Sequence, residues 1–238
     1  MLSSKLPILC LSLLFVVFSS CDSHKEDEFQ LDYIVRPART VKAKSPLLIL
    51  LHGRGSNEMD MYGVAKLIDE RFTVLCPRGI DSIGLDAYSW FPLEKREAAY
   101  FADTLALKEV SLRIEALVNE LKGNFKYDDQ QIIIAGFSQG AMLASKIYAQ
   151  DYIPGLKGLV SIGGANLNRS TDQSVRSSKS RALLIHSKND AIVPYSNTTD
   201  LRKYLEKKGV DVELFTQEIG HSLDRSSIEE INRWLKAY

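Results

Sequence analysis

Six short runs, at positions 47–51, 72–76, 131–135, 158–162, 182–186 and 212–216, are mostly continuous in apolar residues. A strand wetted on one face alternates apolar and polar side chains, whereas one covered on both faces does not. These runs therefore predict buried parallel strands. Segment 29–35 alternates more and reads as an antiparallel edge strand. Helical patterns fill the gaps at 57–69, 103–122, 139–150, 197–208 and 225–237. Asn57 is suited to cap the first, with Glu58 and Asp60 in the first turn, where carboxylates favour the helix dipole. In the second, Val110, Ile114, Leu117, Val118 and Leu121 share one face, and Gly123 marks its stop. Alternation of this kind predicts an α/β fold, a mostly parallel central sheet with helices on both faces. Ligands of such sheets bind beyond the carboxyl ends of the strands.

The N-terminus follows another pattern. Lys5 precedes a short apolar stretch at 6–18, then Ser19, Ser20 and Cys21. About thirteen apolar residues are short for a ~30 Å hydrocarbon core, and the order of features is that of a secretory signal. Cys21 after two small residues resembles the lipidation site of a bacterial lipoprotein, although Phe18 stands where that box usually has Leu; an ordinary cleaved signal or an uncleaved anchor are the alternatives. The expected organisation is a lipoprotein-type signal at 1–20, a polar tether at 21–28 and one domain at 29–238. The expected location is outside the cytoplasm, held to a membrane through Cys21.

Charge and cysteines narrow the function. Thirty basic and thirty acidic residues balance, so nothing points to nucleic acid. With Cys10 in the apolar stretch and Cys21 in the signal, Cys76 stands alone in the domain and can form no internal disulfide. It reads as a buried small residue. The histidines lack metal-ligand spacing, and no metal or cofactor is expected.

Gly136-Phe137-Ser138-Gln139-Gly140 joins a predicted strand to a predicted helix. Gly-x-Ser-x-Gly arises by chance at roughly 0.1 per chain of this length, so it can be a plain glycine turn. A sharp strand-to-helix turn can also strain a serine and lift its hydroxyl above the sheet. Such a serine needs a base. Only His186 and His221 follow it, and only His221 leaves room for an acid between. Asp190 is the one carboxylate just past the 182–186 run; Asp200, Asp211 and Asp224 read as solvated or capping charges. The order Ser138, Asp190, His221 suits an α/β-hydrolase triad. The glycines around Arg54 make its N–H, with that of Gln139, the candidate oxyanion donors. Tyr88, Trp90 and Phe91 are candidates for one wall of the substrate site, or for core under a long loop.

The stretches "LLILLHGRGSNE", "FTVLCPRG", "YSWFPLE", "IIIAGFSQGAMLA", "HSKNDAIVPY" and "IGHSL" together resemble the small carboxylesterase branch of the α/β-hydrolases, with the phospholipases/carboxylesterases and acyl-protein thioesterases. The resemblance implies a serine carboxylic-ester hydrolase with Ser138 as nucleophile, Asp190 as acid and His221 as base. It implies the α/β-hydrolase fold, and the short 162–182 connection leaves no room for a large cap domain. Two positions depart from the branch: Ser187 stands where many relatives have Gly, expected to be a mild change away from the chemistry, and Arg54 stands where thioesterases are often apolar. A small-molecule ester is the expected partner, with (lyso)phospholipid or thioester as alternatives. A catalytically silent binding protein on the same fold is the competing class.

Overall fold

The computed structural model describes residues 30–40, 44–97, 99–168 and 180–238. The expected signal at 1–20, with Cys10, and the tether that starts at Cys21 lie outside the described residues. Seven strands form one sheet in the order β1 (Tyr33–Arg36), β3 (Thr73–Pro77), β2 (Ser45–Leu51), β8 (Tyr127–Phe137), β9 (Leu156–Ile162), β10 (Arg181–Ser187) and β11 (Asp211–Gln217). All neighbours pair parallel except β1, which is antiparallel to β3. The edge strand is thus of the expected kind but begins at Tyr33.

Successive side chains of a strand face opposite sides of the sheet. In β2, Leu47, Ile49 and Leu51 join the core beneath α2 (Thr104–Asn124), α3 (Gln139–Gln150) and α4 (Ser196–Lys207). Leu48 and Leu50 join the opposite core, beneath α1 (Glu58–Ala65) and α5 (Arg225–Leu235). The lack of alternation in the sequence is therefore a two-sided burial, each such side chain stabilising the fold by about 1.5–3 kcal/mol.

The helices follow their predicted ends closely, with local reasons for each shift. Asn57 caps α1 by accepting from the N–H groups of Met59 and Asp60, and Asp103 and Asp224 cap α2 and α5 the same way. Helix α1 stops at Ala65, four residues early, because Leu67 and Ile68 tighten into three-residue turns on Val64 and Ala65. Helix α2 runs one residue past Gly123, since Phe125 N–H still reaches Leu121 O.

Two hairpins were not legible: β4 (Asp81–Gly84) with β5 (Ala87–Ser89), and β6 (Leu93–Arg96) with β7 (Ala99–Ala102). Their strands are short and largely exposed, so they carry no buried apolar period. Both lie between the carboxyl end of β3 and the start of α2, on the edge where the parallel strands end.

Cys76 lies fully buried in β3, and burial pushes its thiol up to about 12. A thiolate is the reactive form, so Cys76 is expected to resist alkylation by iodoacetamide in native buffer at pH 8 and to react rapidly in urea. Peptide mass spectrometry reads both states. Comparable labelling in the two would contradict the packing described.

Candidate active site

Ser138 sits between β8 and α3 with φ 53° and ψ −115°, a left-handed conformation that costs a non-glycine residue about 1–3 kcal/mol. Close packing holds it there. A Cβ on Gly136 would lie 2.3 Å from the Gly140 carbonyl carbon, and one on Gly140 would lie 2.4 Å from Leu51 O. Both glycines thus serve close approach of α3 to the sheet, at ordinary backbone angles. The strain falls on the serine between them. Its N–H donates to Ile162 O at 2.8 Å and its carbonyl accepts from Met142 N–H, which fixes the turn on both sides.

The structure brings Ser138, His221 and Asp190 together from three loops at one edge of the sheet. Ser138 Oγ lies 2.8 Å from His221 Nε2, and His221 Nδ1 lies 2.7 Å from Asp190 Oδ2. A carboxylate only accepts, so Nδ1–H donates to Asp190 and Nε2 is left to accept the serine proton. The Asp190 side chain is buried, where an unpaired charge would be costly. Its Oδ1 accepts from Ile192 N–H and Val193 N–H, both at 2.9 Å. Its Oδ2 takes a second contact, from His186 Nε2 at 3.2 Å. His186 Nε2–H also donates to Val193 O at 2.9 Å, and Nδ1 pairs with Thr198 Oγ1. His186 is thus a buried neutral support for the acid. Opposite the imidazole, Gly163 has φ +59°, and a Cβ there would come within 3.4 Å of His221 Cε1.

The loop after β2 lies against the serine: a Cβ on Gly53 would sit 3.4 Å from Ser138 Cβ. Its fold is set by His52, whose Nδ1–H donates to Gly53 O at 2.7 Å while Nε2 accepts from Gly79 N–H at 2.8 Å. Gly55 N–H and Ser56 N–H are taken by Tyr88 O and Gly53 O. The N–H of exposed Arg54 has no such acceptor among the described residues, and that of Gln139, first in its helix, has none within α3. These are the two amides expected as oxyanion donors.

Trp90 and Phe91 do not line a substrate wall; both are buried in the core. The Trp90 indole N–H donates to His52 O at 2.8 Å, and its ring packs on His52 with centroids 4.7 Å apart. Trp90 N–H donates to Gln139 Oε1 at 3.1 Å, and Gln139 Nε2 donates to Phe91 O at 2.7 Å. The segment therefore bolts the loop after β2 to the start of α3. Tyr88 is half-buried, with the Arg78 guanidinium over its ring at 4.9 Å.

Ser187 is not remote from the chemistry, as its sequence position had suggested. Its Oγ accepts from Ile219 N–H at 2.8 Å and donates to Asn189 Oδ1 at 2.7 Å, which accepts from Gly220 N–H at 2.8 Å. The two N–H groups immediately before His221 are thereby tied to the loop of Asp190. Replacement of a glycine by a hydroxyl residue is the sequence signal that could have revealed this.

A cavity of about 700 Å³ lies between the β6–β7 hairpin, α3 and the start of α4. Its lining includes Asn166, Asn168, Asn197 and Lys146 with Tyr100 and Phe101. Asn166 is three residues beyond Gly163 and Asn197 follows the loop after β10, but Ser138, Asp190 and His221 do not line the cavity. Tyr100 Oη and Lys95 Nζ both donate to Ile192 O, so the hairpin is fastened to the acid loop.

Comparison with known proteins agrees with this architecture. A family described as Phospholipase/Carboxylesterase matches residues 34–238. The Bacillus subtilis (strain 168) protein MhqD, a hydrolase by name, is 24% identical over 196 residues, which cover 80% of this chain and 92% of its own. The structure of YahD with malic acid superposes with a TM-score of 0.75 at 25% identity, over 87% of this chain and 99% of its own. A Bacillus cereus carboxylesterase superposes equally well at 24% identity, over 87% and 95%.

Burial, the largest cause in each case, lowers the pKa of His52 and of His186. The unfolded chain then binds more protons below the ordinary histidine value of about 6.5, so this stability is full above that pH and is lost as pH falls through the folded values. The urea midpoint is expected to fall between pH 7.5 and pH 5, and to fall less in His186→Gln; an unchanged pH difference in that variant would refute the buried neutral state. Ser187→Ala strands the Ile219 N–H and is expected to cost about 1–3 kcal/mol, read from urea midpoints at pH 7.5. A variant as stable as the parent would show that the tie between the loops carries nothing.

Proposed function

As the chain belongs to the phospholipase/carboxylesterase family, we propose that it hydrolyses carboxylic esters through an acyl-enzyme on Ser138. The observation that carries the assignment is the unbroken hydrogen-bonded line from Ser138 Oγ through His221 to Asp190. His221 Nε2 takes the serine proton as Oγ attacks the ester carbonyl, and the imidazolium formed is stabilised by the buried carboxylate beside it. The carbonyl oxygen gains charge within reach of the Gln139 and Arg54 N–H groups, an interaction of about 3–4 kcal/mol per donor in comparable sites. The proton then passes from His221 Nε2 to the leaving alcohol. A water molecule, deprotonated by the same nitrogen, attacks the acyl-enzyme and releases the acid.

The basic start, short apolar stretch and Cys21 of the sequence support export and a lipid anchor at that cysteine.

Ser138→Ala is expected to lower kcat on an activated short-chain ester by about 10⁴ or more, and to abolish labelling by a fluorophosphonate. Turnover like that of the parent in this variant would overturn the assignment.

A further inference from the structure

The edge strand β1 runs opposite to its neighbour, with Tyr33 paired to Pro77, the last residue of β3. The chain therefore enters the domain at the edge where the parallel strands end, the edge that carries Ser138, Asp190 and His221. The entry is pinned there: Arg78 N–H donates to Asp32 O at 2.8 Å, and the Arg78 guanidinium pairs with the carboxylates of Asp32 and Glu58. From this geometry we propose that the active-site edge rests on a lipid bilayer, so that the enzyme draws its ester from the membrane surface. The proposal rests on the anchor at Cys21 suggested above.

Tether length limits the orientation. Eight residues separate Cys21 from Gln30, the first described residue, and the nine steps of chain between those two can reach at most about 30 Å. A domain of about 200 residues has a radius of gyration near 17 Å, hence a diameter of about 43 Å. A tether leaving the active-site edge is too short to round the domain and lay its opposite edge on the bilayer.

Exposed apolar side chains follow the same division. Nine large ones are exposed among the described residues, and seven of them lie between the carboxyl end of a strand and the first turn of the next helix. Met59, Ile83 and Leu85 stand on the side where the chain enters; Phe101, Ile192 and Ile219 stand on the side of β10 and β11, with Leu105 heading α2. Ser138 follows β8, between these groups in the sheet order. Leu85, at the tip of the β4–β5 hairpin, is 96% exposed. Single exposed leucines are ordinary, but their gathering on the tethered edge suits a surface of hydrocarbon.

The test uses the full chain reconstituted in phosphatidylcholine vesicles, with and without bromine on the acyl chains. Leu85→Trp is expected to show added fluorescence that brominated lipid quenches. Leu67→Trp, at a site just past the far end of α1 that is 59% exposed, is expected to escape quenching. Quenching at both sites, at neither, or at position 67 alone overturns the orientation; at neither, the apolar edge would be left to a protein partner. Ile83→Ser/Leu85→Ser is expected to hydrolyse a soluble ester within twofold of the parent and an ester embedded in vesicles about tenfold more slowly; equal losses on both would also overturn it. Chain washed from the vesicles by salt would refute the anchor, and lost fluorophosphonate labelling of the parent would refute the hydrolase chemistry while leaving the quenching pattern readable.

Discussion

The contact on which the site depends is the backbone-to-backbone approach of α3 to the sheet. Gly136 and Gly140 meet closely enough that a Cβ on either would penetrate its neighbour. The turn between them must then complete itself in one residue, and Ser138 takes the left-handed conformation that results. Overlap relieved by two glycines is thus converted into strain on a serine, and that strain aims its hydroxyl. The same approach directs the first amide of α3 to where negative charge would form, because a helix start has no internal acceptor to offer its N–H.

Around this elbow, buried polar groups hold loops rather than substrate. Trp90 and Gln139 join the β2 loop to α3, and His52 shapes the turn between them as a neutral imidazole. Asp190 is buried yet accepts from two backbone amides and two histidines. Such saturation leaves neither buried carboxylate oxygen without a partner, and it fixes the acid against the His221 ring. The Ser187–Asn189 pair ties the acid and histidine loops together at Ile219 and Gly220, beside the 2.7 Å contact between Asp190 and His221.

Two hairpins stand at the same edge. The β6–β7 hairpin is fastened to the acid loop through Ile192 O and bounds the polar cavity, while the β4–β5 hairpin carries the most exposed leucine beside the point of chain entry. Both are built on polar, short-strand sequence that contributes little to the core. The sheet below is already closed by its two apolar layers without them.

Much of the fold was legible because its signals are local or periodic. Two-sided burial erases alternation in β2, β8 and β10, and caps such as Asn57, Asp103 and Asp224 act within three residues of chain. The order of Ser138, Asp190 and His221 could be read because each follows a strand, and parallel strands must end at a common edge. The hairpins escaped notice, since their pairing is held by turns and exposed backbone, with no apolar period to report it. Trp90 and Phe91 could be read as wall or as core, because an aromatic residue in a loop has the same sequence appearance whether it faces solvent or core; the fold places both in the core. The amino-acid sequence by itself determined which residues could do the chemistry and on which edge they would meet. Only the tertiary structure decided what supports them, through His186, Ser187 and Trp90, because those contacts join segments far apart in the chain and depend on distances that no spacing encodes.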